Sequence, residues 1–124
     1  EISTTSSTMT DTGLTVNITP SSTSNKVLVI ATCASMYKSA AVTYADVQTL
    51  RDSTIIAKAM DLLSNNTAQT LAIGNTTMVK LDEPATTSAI TYKVQWENRP
   101  AVGTCYMSLN NTMSSIIVME IDGT

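Results

Sequence analysis

The sequence predicts an all-β fold, an antiparallel β-sandwich of jelly-roll type with about eight or nine strands and no long helix, on three observations. Thr is the commonest residue and Ser follows. Thr joins Val and Ile in the β-branched set that suits a pleated surface and loses side-chain freedom in a helix. Short segments alternate with a period of two between turn-like clusters, and no stretch sustains a helical period.

Each element follows in order. Ser3 to Thr10 is Ser/Thr-rich, so residues 1–12 read as an arm or edge strand before a single sandwich domain at 13–124. Leu14, Val16 and Ile18 alternate with Thr15, Asn17 and Thr19, and Pro20 closes that strand. Ser21 to Asn25 is a turn. Val27 to Ala34 runs apolar apart from Thr32, as a strand covered on both faces does. Tyr44 to Leu50 and Thr54 to Ala59 form a hairpin about Arg51, Asp52 and Ser53. Asp61 to Thr67 reads equally as a helical turn or a loop. Leu71 to Gly74 and Thr77 to Leu81 read as strand, interrupted at Gly74 and Asn75. Asp82, Glu83 and Pro84 then open a loop.

The clearest alternation comes next: Ile90, Tyr92, Val94 and Trp96 face one way, and Thr91, Lys93, Gln95 and Glu97 the other. Val102 to Leu109 and Ser115 to Ile121 complete the set, with Ile117, Met119 and Ile121 expected to point inward.

Composition narrows the function. The 124 residues suffice for one domain with its own core, built from Val, Ile, Leu, Met and Ala because there is no Phe and one Trp. Charged residues are 14% and the net charge is −3, with no Lys/Arg cluster able to neutralise several phosphates. Nucleic-acid binding is therefore not expected. Membrane insertion is not expected either, since no apolar run approaches a spanning length. Residues 1–12 are not a secretory signal. The chain begins at Glu1, as a processed product or the terminal part of something longer would.

The residues offer little for catalysis, and no enzyme activity or cofactor is expected. With no histidine, a Ser-His-Asp or Cys-His arrangement cannot be assembled within the chain. Cys33 and Cys105 are not in a CxxC pair and read as buried free thiols acting as small hydrophobes; a bridge between neighbouring strands is the alternative. The acids are scattered. Asp46 with Asp52, or Asp82 with Glu83, lack calcium-loop spacing and read as solvated loop charges. Asn-x-Ser/Thr triplets at Asn17, Asn65, Asn75 and Asn110 barely exceed chance in so Ser/Thr-rich a chain. Trp96 shares a face with Ile90, Tyr92 and Val94, which favours packing over a sugar platform. Tyr37, Lys38 and Tyr44 flank a loop and are the better candidates for an exposed contact.

Two strands lack a polar face: Val27 to Ala34 beyond Thr32, and Ser115 to Ile121 beyond Glu120. Such strands invite burial against another subunit, with closed symmetry the default.

The segments DTGLTVNITPSSTSNKVLVIATCAS (Asp11 to Ser35), TLRDSTIIAKA (Thr49 to Ala59), EPATTSAITYKVQW (Glu83 to Trp96) and SSIIVMEI (Ser114 to Ile121) resemble a recurrent domain of structural proteins of tailed bacteriophages, many of them marine, including cyanophages. That resemblance implies a virion-surface protein. The strand layout is also similar to the jelly roll of the tumour-necrosis-factor and complement globular-head families, which implies a homotrimer; those families place more aromatics in the core than this chain has. Neither likeness carries site residues. The expected role is a trimeric module of a head decoration, head fibre or tail-fibre tip. It would contact other virion proteins, and either reinforce the particle or grip a host-surface glycan or receptor. A lectin-like adhesion domain, and more remotely a fibre-borne glycan hydrolase, are the competing readings.

Overall fold

A computed structural model describes residues 1–64 and 73–124. It is an antiparallel β-sandwich of two sheets. The strands are β1 (Ile2–Thr4), β2 (Thr10–Ile18), β3 (Lys26–Lys38), β4 (Ala45–Arg51), β5 (Thr54–Leu62), β6 (Gly74–Asp82), β7 (Ile90–Asn98), β8 (Cys105–Met107) and β9 (Ser115–Ile121). Strands β2-β7-β4-β5 make a four-stranded sheet. The five-stranded sheet runs β1-β8-β3-β6, with β9 also on β3. The pairs nest: β1 with β8, β2 with β7, β3 with β6, β4 with β5. That is the rolled-up hairpin of a jelly roll.

β3 organises its sheet. At 13 residues it is the longest strand, paired with β6 along one edge. Its other edge is shared end to end, β9 against Lys26 to Thr32 and β8 against Tyr37 and Lys38. Its inward set, Val27, Val29, Ala31 and Cys33, is wholly buried. Across the sandwich β7 inserts Ile90, Tyr92, Val94 and Trp96, as the alternation predicted. Trp96 is a core residue, packed with Met36, Val47, Met78 and Met107 in place of the Phe the chain lacks. Tyr92 sits with Val27, Val29 and Ile90, and its hydroxyl donates to Asp82 Oδ2 at 2.7 Å. The same oxygen accepts from Arg51 Nη1 at 2.8 Å, so one carboxylate ties β6 to β4 and β7 of the opposite sheet.

Several elements differ from expectation. β9 turns over: Ile116 and Val118 pack inward, while Ile117, Met119 and Ile121 are exposed. The run Ile116 to Met119 is apolar on both sides, so alternation alone leaves its face open. Glu120 settles it, accepting from the Ser21 and Asn25 side chains and the Ser21 N–H across the β2–β3 turn. β6 begins at Gly74 and takes in Asn75, whose Oδ1 accepts the Ser35 N–H beside the irregularity in β3. β8 is only three residues, since residues 99–104 loop out before it and a short 3-10 turn, Leu109–Asn111, follows. The readings of Asp61 to Thr67 and Leu71 to Gly74 lie partly outside the described residues; within them, β5 runs on to Leu62.

Trp96→Ala empties the largest wholly buried site and should cost about 3–5 kcal/mol. In urea denaturation the midpoint should fall with little change in slope.

Candidate functional site

The two sheets present unlike outer surfaces. On the four-stranded sheet, Gln48 Nε2 donates to Gln95 Oε1 (2.9 Å), and Gln95 Nε2 donates to Asp11 Oδ1 (2.7 Å). Lys93 Nζ reaches Asp11 Oδ1 at 3.0 Å, and Thr91 Oγ1 donates to Asn17 Oδ1 at 2.7 Å. This ladder runs across β4, β7 and β2 and holds the Asp11 carboxyl below its usual range, first through Gln95 and then through Lys93. A bulge at Gly13 (φ +89°) bends β2 away and opens a shallow groove beside Leu14, Thr15 and Lys93. Its two charged groups, Asp11 and Lys93, already pair with each other.

The outer face of β9-β3-β6 is apolar. Register places Leu81, Leu28 and Met119 in one row and Val79, Ile30 and Ile117 in the next. Val79, Leu81, Ile117, Met119 and Ile121 are exposed, and Leu28 and Ile30 half-exposed. Polar pairs bound the rows. At one end Lys26 meets Glu83 at 2.7 Å; at the other the Thr32 and Thr77 hydroxyls bond at 3.1 Å. Sequence reasoning found the missing polar face of β3 but assigned the β9 contribution to the core.

A polar cluster built on the buried Asp46, Asn98 and Thr43 braces one end of the sandwich. Asp46, 1% exposed, lies 2.7 Å from Arg99 Nε and accepts the Asp61 N–H at 2.8 Å. Arg99 also pairs with Asp61 and stacks over the Tyr44 ring at 4.8 Å. Asn98 Nδ2 donates to the carbonyls of Val102 and Gly103, and Thr43 Oγ1 donates to that of Val102. Gly103 (φ +64°) is required there, because a Cβ would stand 2.7 Å from Thr43 Oγ1.

The residues singled out from sequence are not brought together. Lys38, expected at an exposed contact, is wholly buried: even residues of β3 beyond its irregularity turn inward, and its Nζ donates to the Ala41 carbonyl at 2.9 Å. Burial lowers its pKa from the ordinary lysine value. Tyr37 is half-buried and stacks on Tyr106 with ring centroids 4.3 Å apart, and Tyr44 lies under Arg99. Asp46 and Asp52 sit at opposite ends of the β4 hairpin; Asp52 Oδ1 accepts the Thr91 N–H. Asp46 and Asp82, read from sequence as solvated loop charges, are instead buried on β4 and β6, where each takes a partner, Arg99 and Arg51 respectively; Asp52 and Glu83, just beyond their strands, are exposed. Among the described residues no group of Cys, Asp or Glu is arranged to hold a metal, and no helix is long and apolar enough to cross a membrane.

Cys33 and Cys105 are free and buried in one core cluster. Loss of solvent pushes their thiols up to about 12 and about 11. A thiol reagent should therefore label neither cysteine in native protein at pH 8, and both in guanidinium; native labelling would contradict the burial.

Comparison with known proteins gives no relative: no protein-family model, curated protein or solved structure matches the chain.

Carboxylates set the pH response. Glu120 is held below its usual range by Asn25 and Ser21, Glu83 by Lys26, and Asp11 by Gln95 and Lys93. Groups with depressed folded pKa values stabilise the fold above the unfolded value of about 4, and that contribution is lost as pH falls through the folded values. Urea midpoints should decline from about pH 5 toward pH 2. Glu120→Gln should flatten part of that decline; an unchanged profile would show that the Glu120 contacts do not differ between folded and unfolded chains.

Proposed function

We propose that this chain is a non-enzymatic structural module of a bacteriophage virion surface, a homotrimeric element of a head decoration, head fibre or tail-fibre tip. It reinforces the particle or attaches it to the host. The observation that carries the reading is the contrast between the outer faces of the two sheets. Across β4, β7 and β2 one carries a hydrogen-bonded polar ladder, with apolar exposure confined to Ile55 and Met60 on β5; the other is a contiguous apolar surface of the kind that marks assembly. The phage assignment rests on the segments from Asp11 to Ser35, Thr49 to Ala59, Glu83 to Trp96 and Ser114 to Ile121 that resemble phage structural domains.

The core and the end cluster fit such a role. Their polar groups brace loops and tie sheets together: Asp82 engages Arg51 and Tyr92, and Asp46 engages Arg99 and the Asp61 backbone. The half-buried Tyr37–Tyr106 stack favours the lectin-like alternative, because sugars pack on aromatic surfaces.

Light scattering over a range of concentrations should give three times the chain mass of 13.2 kDa. A concentration-independent single-chain mass would overturn the assembled-module reading. Saturable glycan binding by that monomer, lost in Tyr106→Ala, would establish the lectin-like alternative.

A further inference from the structure

We infer that the outer face of β9-β3-β6 is the surface through which copies of this chain associate, which leaves the polar ladder outermost in the assembly. The inference rests on the assembled-module reading and assigns it a surface and residues.

Size and chemistry select a second copy as the occupant. At roughly 200 Å² for a fully exposed large side chain, the exposures of Val79, Leu81, Ile117, Met119 and Ile121 (61, 46, 50, 46 and 39%) amount to about 500 Å². A standard interface removes about 800 Å² from each partner, and homo-oligomeric cores are about 65% apolar, which again gives about 500 Å² per copy. The patch thus has the apolar extent that one copy contributes to a stable interface between copies. Its one flanking ion pair, Lys26 with Glu83, is internally neutralised and offers no field to steer an oppositely charged partner. A lipid surface would call for a basic rim around the apolar residues, and this rim is a neutral pair and a row of hydroxyls.

The location is consistent with this use. Both flanking strands, β6 and β9, present this face at the margins of the sheet, so among the described residues no element stands between it and a second copy. Lys80 stands between Val79 and Leu81 on β6 and points to the other side of that strand. A charge so placed discourages edge-to-edge strand addition while leaving face packing open. Association through this face leaves the braced loops at 39–44 and 99–104 clear for contacts beyond the assembly.

Two measurements on the whole chain test this. Val79→Lys with Ile117→Lys places charge at two exposed positions, and should weaken self-association at least about 30-fold with β-sheet circular dichroism retained. Thr15→Lys, on the outer face of the other sheet, should leave the mass unchanged. If the double variant does not fold, Ile117→Cys decides. Its maleimide labelling should be at least about tenfold slower in assembled than in diluted protein, with Thr15→Cys labelled equally in both, since the native thiols are buried. An assembled mass that survives the double Lys variant, or Ile117→Cys labelled as fast as Thr15→Cys when assembled, overturns the assigned surface and leaves the module reading standing. A wild-type chain that stays single at every concentration overturns both.

Discussion

The two-residue period of β3 sends Val27, Val29, Ala31 and Cys33 into the core and turns Leu28 and Ile30 away from it. Everything in the five-stranded sheet depends on that division. β6 pairs along one edge of β3, β9 and β8 share the other, and each inherits its facing from the register with β3. A strand in a two-layer sandwich has one layer to pack against, so apolar residues on its second face are left facing outward. Here that second face is apolar across three strands. The four-stranded sheet differs, with amides, hydroxyls and one Lys–Asp pair that bond each other across β4, β7 and β2.

Ionic groups serve a few specific tasks in a chain with so little charge. Asp82 joins the two sheets through Arg51 and Tyr92. Removing the half-buried Arg51 would leave the buried Asp82 carboxylate short of a partner, which makes this contact a determinant of how the sheets are placed against each other. Asp46 and Arg99 do comparable work at one end, where they hold the start of β4, the end of β5 and the loop after β7. Glu120 closes the opposite end by gathering the β2–β3 turn. The core between is built without Phe, from Met, Val, Ala and Cys around Trp96 and Tyr92.

Much of the sandwich was legible in the sequence wherever polar and apolar residues alternate. The facing of β7 follows directly from Ile90 to Glu97, that of β2 from Leu14 to Ile18, and the β4–β5 hairpin from Arg51, Asp52 and Ser53. Legibility failed where both faces are apolar. In β9 the deciding contact is Glu120 with a turn nearly a hundred residues away, which no local pattern encodes. It failed again at Lys38, whose burial depends on the irregularity at Ser35 (φ 44°) that resets the alternation of β3. The apolar outer face was half visible: β3 lacked a polar side, but only the register brings Val79, Leu81, Ile117 and Met119 alongside it.

Methionine oxidation tests the central claim most directly, because the chain carries its own reporters. In a single chain Met119, Met60 and Met113 are all exposed, at 46, 50 and 84%. Met119 lies on the apolar face, Met60 on β5 of the other sheet, and Met113 in the loop before β9. Dilute peroxide applied to concentrated native protein, with peptide mass analysis, reads how accessible each thioether is. Sulfoxide should form at Met60 and Met113 with Met119 protected, and that protection should be lost on dilution. Oxidation of Met119 at the same rate as Met60 in the concentrated protein would contradict the claim.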